Sequence, residues 1–158
     1  MLLSMPFFDV RSRRTMKQAT DVFNEWVHRG KDEGMERGHA PAVKEMLDAA
    51  LNKVSSNGTA FEFADLGCGN GWVVRMVAAH AGCASADGFD GAQNMIAKAK
   101  NIDSKNGYHI AMFPQTKPPK KYDLVHSMEF IYYLREPKVM LQSIHDDWLS
   151  NGGWAVIG

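Results

Sequence analysis

The chain has 158 residues, 45% of them hydrophobic and 23% charged, with eighteen basic against eighteen acidic side chains. That balance argues against a disordered segment or a polyanion binder, and the length suits one domain that removes roughly 70% of its unfolded surface from water. No apolar run approaches the ~20 residues a bilayer requires, and Cys68 and Cys83 lack C-x-x-C spacing, so free thiols and a cytoplasmic setting are expected.

Residues 1–14 read as a leader, apolar through Phe8 and then basic at Arg11, Arg13 and Arg14. This reverses the order of a secretory signal; an organelle transit peptide is the alternative to plain cytoplasmic residence. From Thr15 to Arg29 the apolar residues Met16, Ala19, Phe23, Trp26 and Val27 form one helical stripe. A second helix is expected from Pro41 to Val54, on Val43, Met46, Leu47, Ala50, Leu51 and Val54. Between them, Gly30 to His39 holds three glycines and three acids and reads as a polar turn.

Phe61 to Trp72 reads F-E-F-A-D-L-G-C-G-N-G-W, a strand-like run, an acid and three glycines at alternate positions, ahead of a helix-like stretch from Val73 to Ala81. A strand that turns sharply into a helix aims the first helical N–H groups at the turn, and glycine admits a ligand where a Cβ would block it. A dinucleotide turn needs a third small residue where this chain has Trp72, which argues against a nicotinamide enzyme. The spacing Asp65-x-Gly67-x-Gly69-x-Gly71 resembles the first motif of the class I S-adenosylmethionine-dependent methyltransferases.

The resemblance continues through A-S-A-D-G-F-D-G-A-Q-N-M-I at Ala84 to Ile96, followed by a helix to about Ile102. Asp90 ends the second strand about 20 residues past the glycine turn, the place of an acid that accepts both ribose hydroxyls. A short strand near Tyr108 to Met112 and a loop from Phe113 to Lys121 come next. Y-D-L-V-H-S at Tyr122 to Ser127 resembles the family's fourth strand, and W-L-S-N-G-G-W at Trp148 to Trp154 the loop before its fifth. Between these, Pro137 opens a helix carried by Leu141, Ile144 and Trp148.

The expected fold is α/β, a doubly wound, mostly parallel Rossmann-like sheet with helices on both faces and two N-terminal helices. One domain would run from 15 to 158, with the helices in 15–54 and the cofactor-binding core in 60–158. The family's sheet continues with two more strands, so this chain is expected to be C-terminally incomplete and to self-associate through an exposed fifth strand.

The resemblance implies S-adenosylmethionine as cofactor, held by Asp65, Gly67, Cys68, Gly69, Gly71, Asp90, Gly91, Met95, Met112, Phe113 and Ser127. The family's acid that meets adenine at the end of the third strand is replaced by Ala111-Met112-Phe113, which leaves backbone groups and apolar stacking for that task. It also implies a lid ahead of the first strand, which would bring Met35, Glu36 and His39 to cofactor or substrate. Glu129, Tyr132 and His39 are the candidates for a general base or for orienting the acceptor. His126 reads as a packed or hydrogen-bonded histidine, and no metal site is expected.

The acceptor is expected to be a small molecule, with no nucleic acid or membrane as partner, because charge is neutral and no Asn-Pro-Pro-Tyr motif follows the fourth strand. A non-catalytic scaffold of the same fold that binds a partner protein is the alternative.

Overall fold

The computed structural model describes residues 19–56 and 58–158. The leader at 1–14 and the expected helix start at 15–18, Met16 included, lie outside the described residues. Helix α1 spans Ala19–His28 and α2 spans Lys31–Val54. The expected polar turn at Gly30 to His39 is therefore helical, and the break is confined to Arg29 and to Gly30, whose φ is 63°.

Two glycines and Pro41 weaken α2 locally, since proline has no N–H to close the helical ladder. Tertiary anchoring outweighs this. Val43, Leu47 and Ala50 are buried against the sheet, and Asp32 in the first turn is hydrogen-bonded to residues far along the chain.

The remaining elements follow the predicted order, with a helix between successive strands except between the third and the fourth, where the expected loop lies. They are β1 (Phe61–Leu66), α3 (Trp72–Ala78), β2 (Cys83–Asp90), α4 (Gln93–Ile102), β3 (Gly107–Ile110), β4 (Tyr122–Ser127), α5 (Pro137–Ser143) and β5 (Leu149–Ile157). A single π-helical turn, Ile144–Trp148, joins α5 to β5. The strands pair in parallel in the order β3-β2-β1-β4-β5. Winding reverses between β1 and β4, and the crevice beyond their carboxyl ends is where open α/β sheets take ligands.

Helices α2, α3 and α4 cover one face through Leu47, Val74, Val77, Ile96 and Ala99. On the other, α5 and the π turn bury Met140, Ile144 and Trp148 over Leu66, Phe89 and Val125. Leu141, expected on the buried stripe, is exposed, because Met140 takes the inward position. The expected loop before the fifth strand is largely strand: the register steps from Tyr122 opposite Leu149 to Leu124 opposite Trp154, and residues 150–153 bulge between. Among the described residues no helix is long and apolar enough to cross a membrane.

Candidate functional site

The β1–α3 turn lies at the crevice. Its backbone is fastened to the end of β2, with the N–H groups of Gly67 and Cys68 donating to the Phe89 carbonyl at 2.8 and 3.1 Å. Gly69 N–H donates to Asp90 Oδ2 at 2.9 Å, and Ala92 N–H donates to Asp90 Oδ1 at 2.7 Å. One carboxylate thus joins the glycine turn to the turn that follows β2. Burial lifts the Asp90 carboxyl above its ordinary value; the Ala92 and Gly69 N–H groups pull it down, and the charge of Asp65 adds to the rise. Each oxygen retains acceptor capacity beyond the one bond it makes here.

The three glycines of the turn play different parts. A Cβ on Gly67 would lie 2.7 Å from Phe130, and one on Gly71 would lie 2.4 Å from the Tyr108 ring. Those two let the chain pack on itself. A Cβ on Gly69 would meet nothing within 4 Å, although its φ of 53° already favours glycine. The space beside Gly69 is open.

Asp65 and His126 are paired across β1 and β4, with Asp65 Oδ1 and His126 Nδ1 2.7 Å apart and both side chains buried. His126 Nε2 is buried without a hydrogen-bond partner among the described residues. The sequence reading of His126 as hydrogen-bonded agrees with this geometry, but that its partner is Asp65 was not foreseen. Ser127 is fully buried and donates to the Leu66 carbonyl at 3.0 Å.

Helix α1 roofs the other half of the crevice. Asn94 N–H donates to Asn24 Oδ1 at 2.9 Å, and a Cβ on Gly91 would come 2.9 Å from Thr20 Cγ2 and 3.7 Å from Met112 Sδ. Gly91 and Met112 are thereby brought together beside Asp90. Phe113 packs instead towards the second core, its ring 5.0 Å from Phe130 and 5.8 Å from Trp148. Met95 and Cys68 are buried, and the Cys68 thiol faces Gly88 beneath the turn.

Burial, with the charges of Asp90 and Asp65, pushes the Cys68 thiol well above its usual range, and burial beside Glu62 pushes Cys83 up to about 11. Both cysteines are therefore expected to resist alkylation at pH 8, Cys68 more than the half-buried Cys83. Mass spectrometry after timed iodoacetamide exposure checks the order, and faster labelling of Cys68 would contradict the packing beneath the turn.

A polar latch unforeseen from sequence holds α2 to the site. Asp32 Oδ2 accepts from Asn70 Nδ2 at 3.0 Å, within the glycine turn, and from Lys98 Nζ of α4 at 2.6 Å. Burial raises the Asp32 carboxyl, but the bonds from Lys98 and Asn70 and the charge of Lys98 leave it below its ordinary 3.8. The bond to Asp32 lifts Lys98 above its ordinary 10.5. Asp32 then contributes stability above pH 3.8 that is lost as pH falls through its folded value. Lys98 contributes stability below pH 10.5 that is lost as pH rises through its folded value. Lys98→Met is expected to lower stability by about 1 to 3 kcal/mol between those limits, with the difference shrinking outside them. Urea melts across pH check this, and a difference that persists at pH 2.5 would contradict it.

Met35, Glu36 and His39 lie on α2. His39, Trp26, Lys31, Gly34 and Gly38 line an open cavity of about 490 Å³ between α1 and α2. At the exit of β4, Glu129 accepts from the Tyr132 hydroxyl. No cluster of three or more His, Cys, Asp or Glu among the described residues is arranged to hold a metal ion.

A parallel sheet in this strand order, with a glycine turn after its central strand and an acid ending the next one, is the class I S-adenosylmethionine-dependent methyltransferase fold. A family model described as a methyltransferase domain matches residues 64–155, more than half of the chain, and the chain belongs to that family.

Among solved structures, a chain from the complex between the Haloferax volcanii Trm112 methyltransferase activator and a methyltransferase superposes with a TM-score of 0.74 at 26% identity. The match covers 85% of this chain and 58% of that one. An S-adenosylmethionine-dependent methyltransferase from Mesorhizobium loti gives 0.62 at 26% identity, covering 75% and 52%. The plantazolicin methyltransferase BpumL, solved with S-adenosylhomocysteine, gives 0.67 at 16% identity over 87% and 58%, a likeness of fold alone. The chain spans between half and three fifths of the length of these three structures. Comparison with curated proteins gives no match.

Proposed function

We propose that the chain binds S-adenosylmethionine at the β1–α3 turn and serves methyl transfer to a small-molecule acceptor. The observation that carries this reading is the open space beside Gly69, bordered by the Asp90 carboxylate, in a turn whose other two glycines are filled by the chain itself. Asp90 would accept the ribose hydroxyls, Asp65 would face the methionine end with His126 holding its other oxygen, and Gly91 and Met112 would border the adenine. Family membership and the S-adenosylhomocysteine found in BpumL support the choice of cofactor.

The cofactor supplies an activated methyl group on a sulfonium, so the protein's part is to orient the acceptor and exclude water rather than to form a covalent intermediate. On this reading the protein needs a binding turn and no nucleophile of its own.

Calorimetric titration with S-adenosylhomocysteine, S-adenosylmethionine and NAD tests the proposal. Micromolar binding of the two adenosyl sulfur compounds without NAD binding is expected. A folded chain that binds neither of them would refute it.

A further inference from the structure

Beyond the cofactor turn, one group of side chains at the same end of the sheet has no part in the fold's core. Glu129 directly follows the β4 exit and is the non-glycine residue with positive φ, at 52°, among those described. A side chain in that region costs roughly 1 to 2 kcal/mol, and such positions cluster at ligand sites. Its neighbour Phe130 fills the space over Gly67, so Glu129 sits beside the cofactor turn. Among the described residues its carboxylate forms no ion pair, and its one hydrogen bond comes from Tyr132. Lone pairs remain for a further donor.

An aromatic strip leads away from this carboxylate. The Tyr132 and Tyr133 rings lie 4.4 Å apart and are 59% and 46% exposed, more than packing in a core would leave. Tyr133 meets the edge of Phe23 at 5.5 Å, and Phe23 meets Trp26 at 5.1 Å. Trp26 walls the α1–α2 cavity, where Gly34 and Gly38, one helical turn apart, leave open space above the helix. Lys31 Nζ sits 5.9 Å over the Trp26 ring, so a ligand's positive charge is favoured at the Glu129 end of the strip, away from that ammonium.

We propose that this strip is the acceptor groove and that it takes an organic amine, bound as its ammonium with the nitrogen at Glu129 and the apolar body along Tyr132, Tyr133 and Phe23; for methyl transfer the ammonium gives one proton to the Glu129 carboxylate, which frees the nitrogen lone pair to attack the methyl group as the sulfonium leaves as a neutral thioether. The Glu129 carboxylate favours a cation by its charge, and the aromatic strip that begins at Tyr132 offers an apolar surface for the rest of the molecule. A carboxylate or phosphate acceptor would meet repulsion at the same point. The Tyr132 hydroxyl holds the carboxylate in place, and its proton is retained because the bond to Glu129 lifts the phenol well above its usual range. The inference rests on the reading of the adjacent turn as the cofactor site, since that is what makes a groove here an acceptor groove.

The probes are benzylamine, benzyl alcohol and benzoate, each titrated at pH 7 into the cofactor-free chain and followed by tyrosine fluorescence and calorimetry. Benzylamine is expected to bind saturably in the millimolar range and at least tenfold more tightly than benzoate. Glu129→Gln, which keeps size and backbone preference, is expected to weaken benzylamine at least fivefold while S-adenosylhomocysteine affinity stays within twofold. Tyr132→Phe should give an intermediate loss.

Equal binding of benzylamine and benzoate, no saturable binding, or a Glu129→Gln variant with undiminished amine affinity would overturn the proposal. Because the amine titration is run without the adenosyl compound, a failure of the cofactor reading shows up separately, as absent S-adenosylhomocysteine binding beside intact amine binding.

Discussion

Asp90→Ala is expected to weaken S-adenosylhomocysteine binding at least tenfold and to cost about 1.5 to 3 kcal/mol of stability, whereas Asp90→Asn should lose most of the binding and less of the stability. The carboxylate does two things at once. It receives backbone N–H groups from Gly69 and Ala92, and hydrogen bonds to a charged partner contribute about 1.5 to 3 kcal/mol each, offset in part because burial disfavours the charged carboxyl that alanine removes. Alanine leaves both donors facing a space that the turn was shaped around. Asparagine restores one acceptor but brings an N–H₂ group against an N–H, so one of the two bonds is kept.

The ligand-binding part of the effect has a different origin. On the proposed reading the lone pairs left over on Asp90 would accept from the ribose, and a neutral amide accepts less strongly than a carboxylate. Calorimetric titration paired with urea melts reads both quantities on the same preparations. Unchanged S-adenosylhomocysteine affinity in a folded Asp90→Ala chain would place the adenosine elsewhere and remove the main support for the cofactor reading.

The place of Asp90 at the end of β2 was legible in the sequence because it depends on local spacing: a strand end, a fixed distance past a glycine turn, needs few long-range facts to locate. The same holds for the doubly wound α/β class, which follows from strands alternating with helices along the chain. Where tertiary packing decides, local reading fell short. Gly34, Gly38 and Pro41 depress helix propensity at the start of α2, and nothing nearby shows that Asp32 is held by Asn70, 38 residues on, and by Lys98, 66 residues on.

The Asp65–His126 pair spans 61 residues and was hidden for the same reason, although a histidine in a buried parallel strand signals by itself that some partner must exist. Leu141 and Met140 are consecutive apolar residues, and a periodic stripe cannot choose between them when the helix has seven residues. Glu129 and Tyr132 stood out as candidates from sequence, but their contact, and its continuation through Tyr133 to Phe23 and Trp26, required α1 to be placed over the crevice.

The glycines of the turn separate support of the fold from binding. Gly71→Ala is expected to destabilise the chain by about 2 to 5 kcal/mol, because its Cβ would lie 2.4 Å from a Tyr108 ring that is itself buried and held by Asp103, and because a φ of 78° strains any side chain. Tyr108 cannot withdraw without opening the core beneath α3. Gly69→Ala meets no atom within 4 Å, so it should cost only about 1 to 2 kcal/mol for its φ of 53°. Yet its methyl group would stand in the space assigned to the cofactor.

The expected pattern is therefore crossed. Gly69→Ala melts near the wild type and loses S-adenosylhomocysteine affinity at least tenfold; Gly71→Ala melts far lower and, where it remains folded, keeps a larger share of the affinity. Tyr108→Ala in the Gly71→Ala background makes room for the new methyl group, so the double variant should be less destabilised than the two single losses combined. Thermal melts and titrations of the wild type and the four variants, Tyr108→Ala alone included, decide the matter. If Gly69→Ala bound like the wild type, the open space beside it would be vacant in the complex as well, and the cofactor would have to approach the turn from another side.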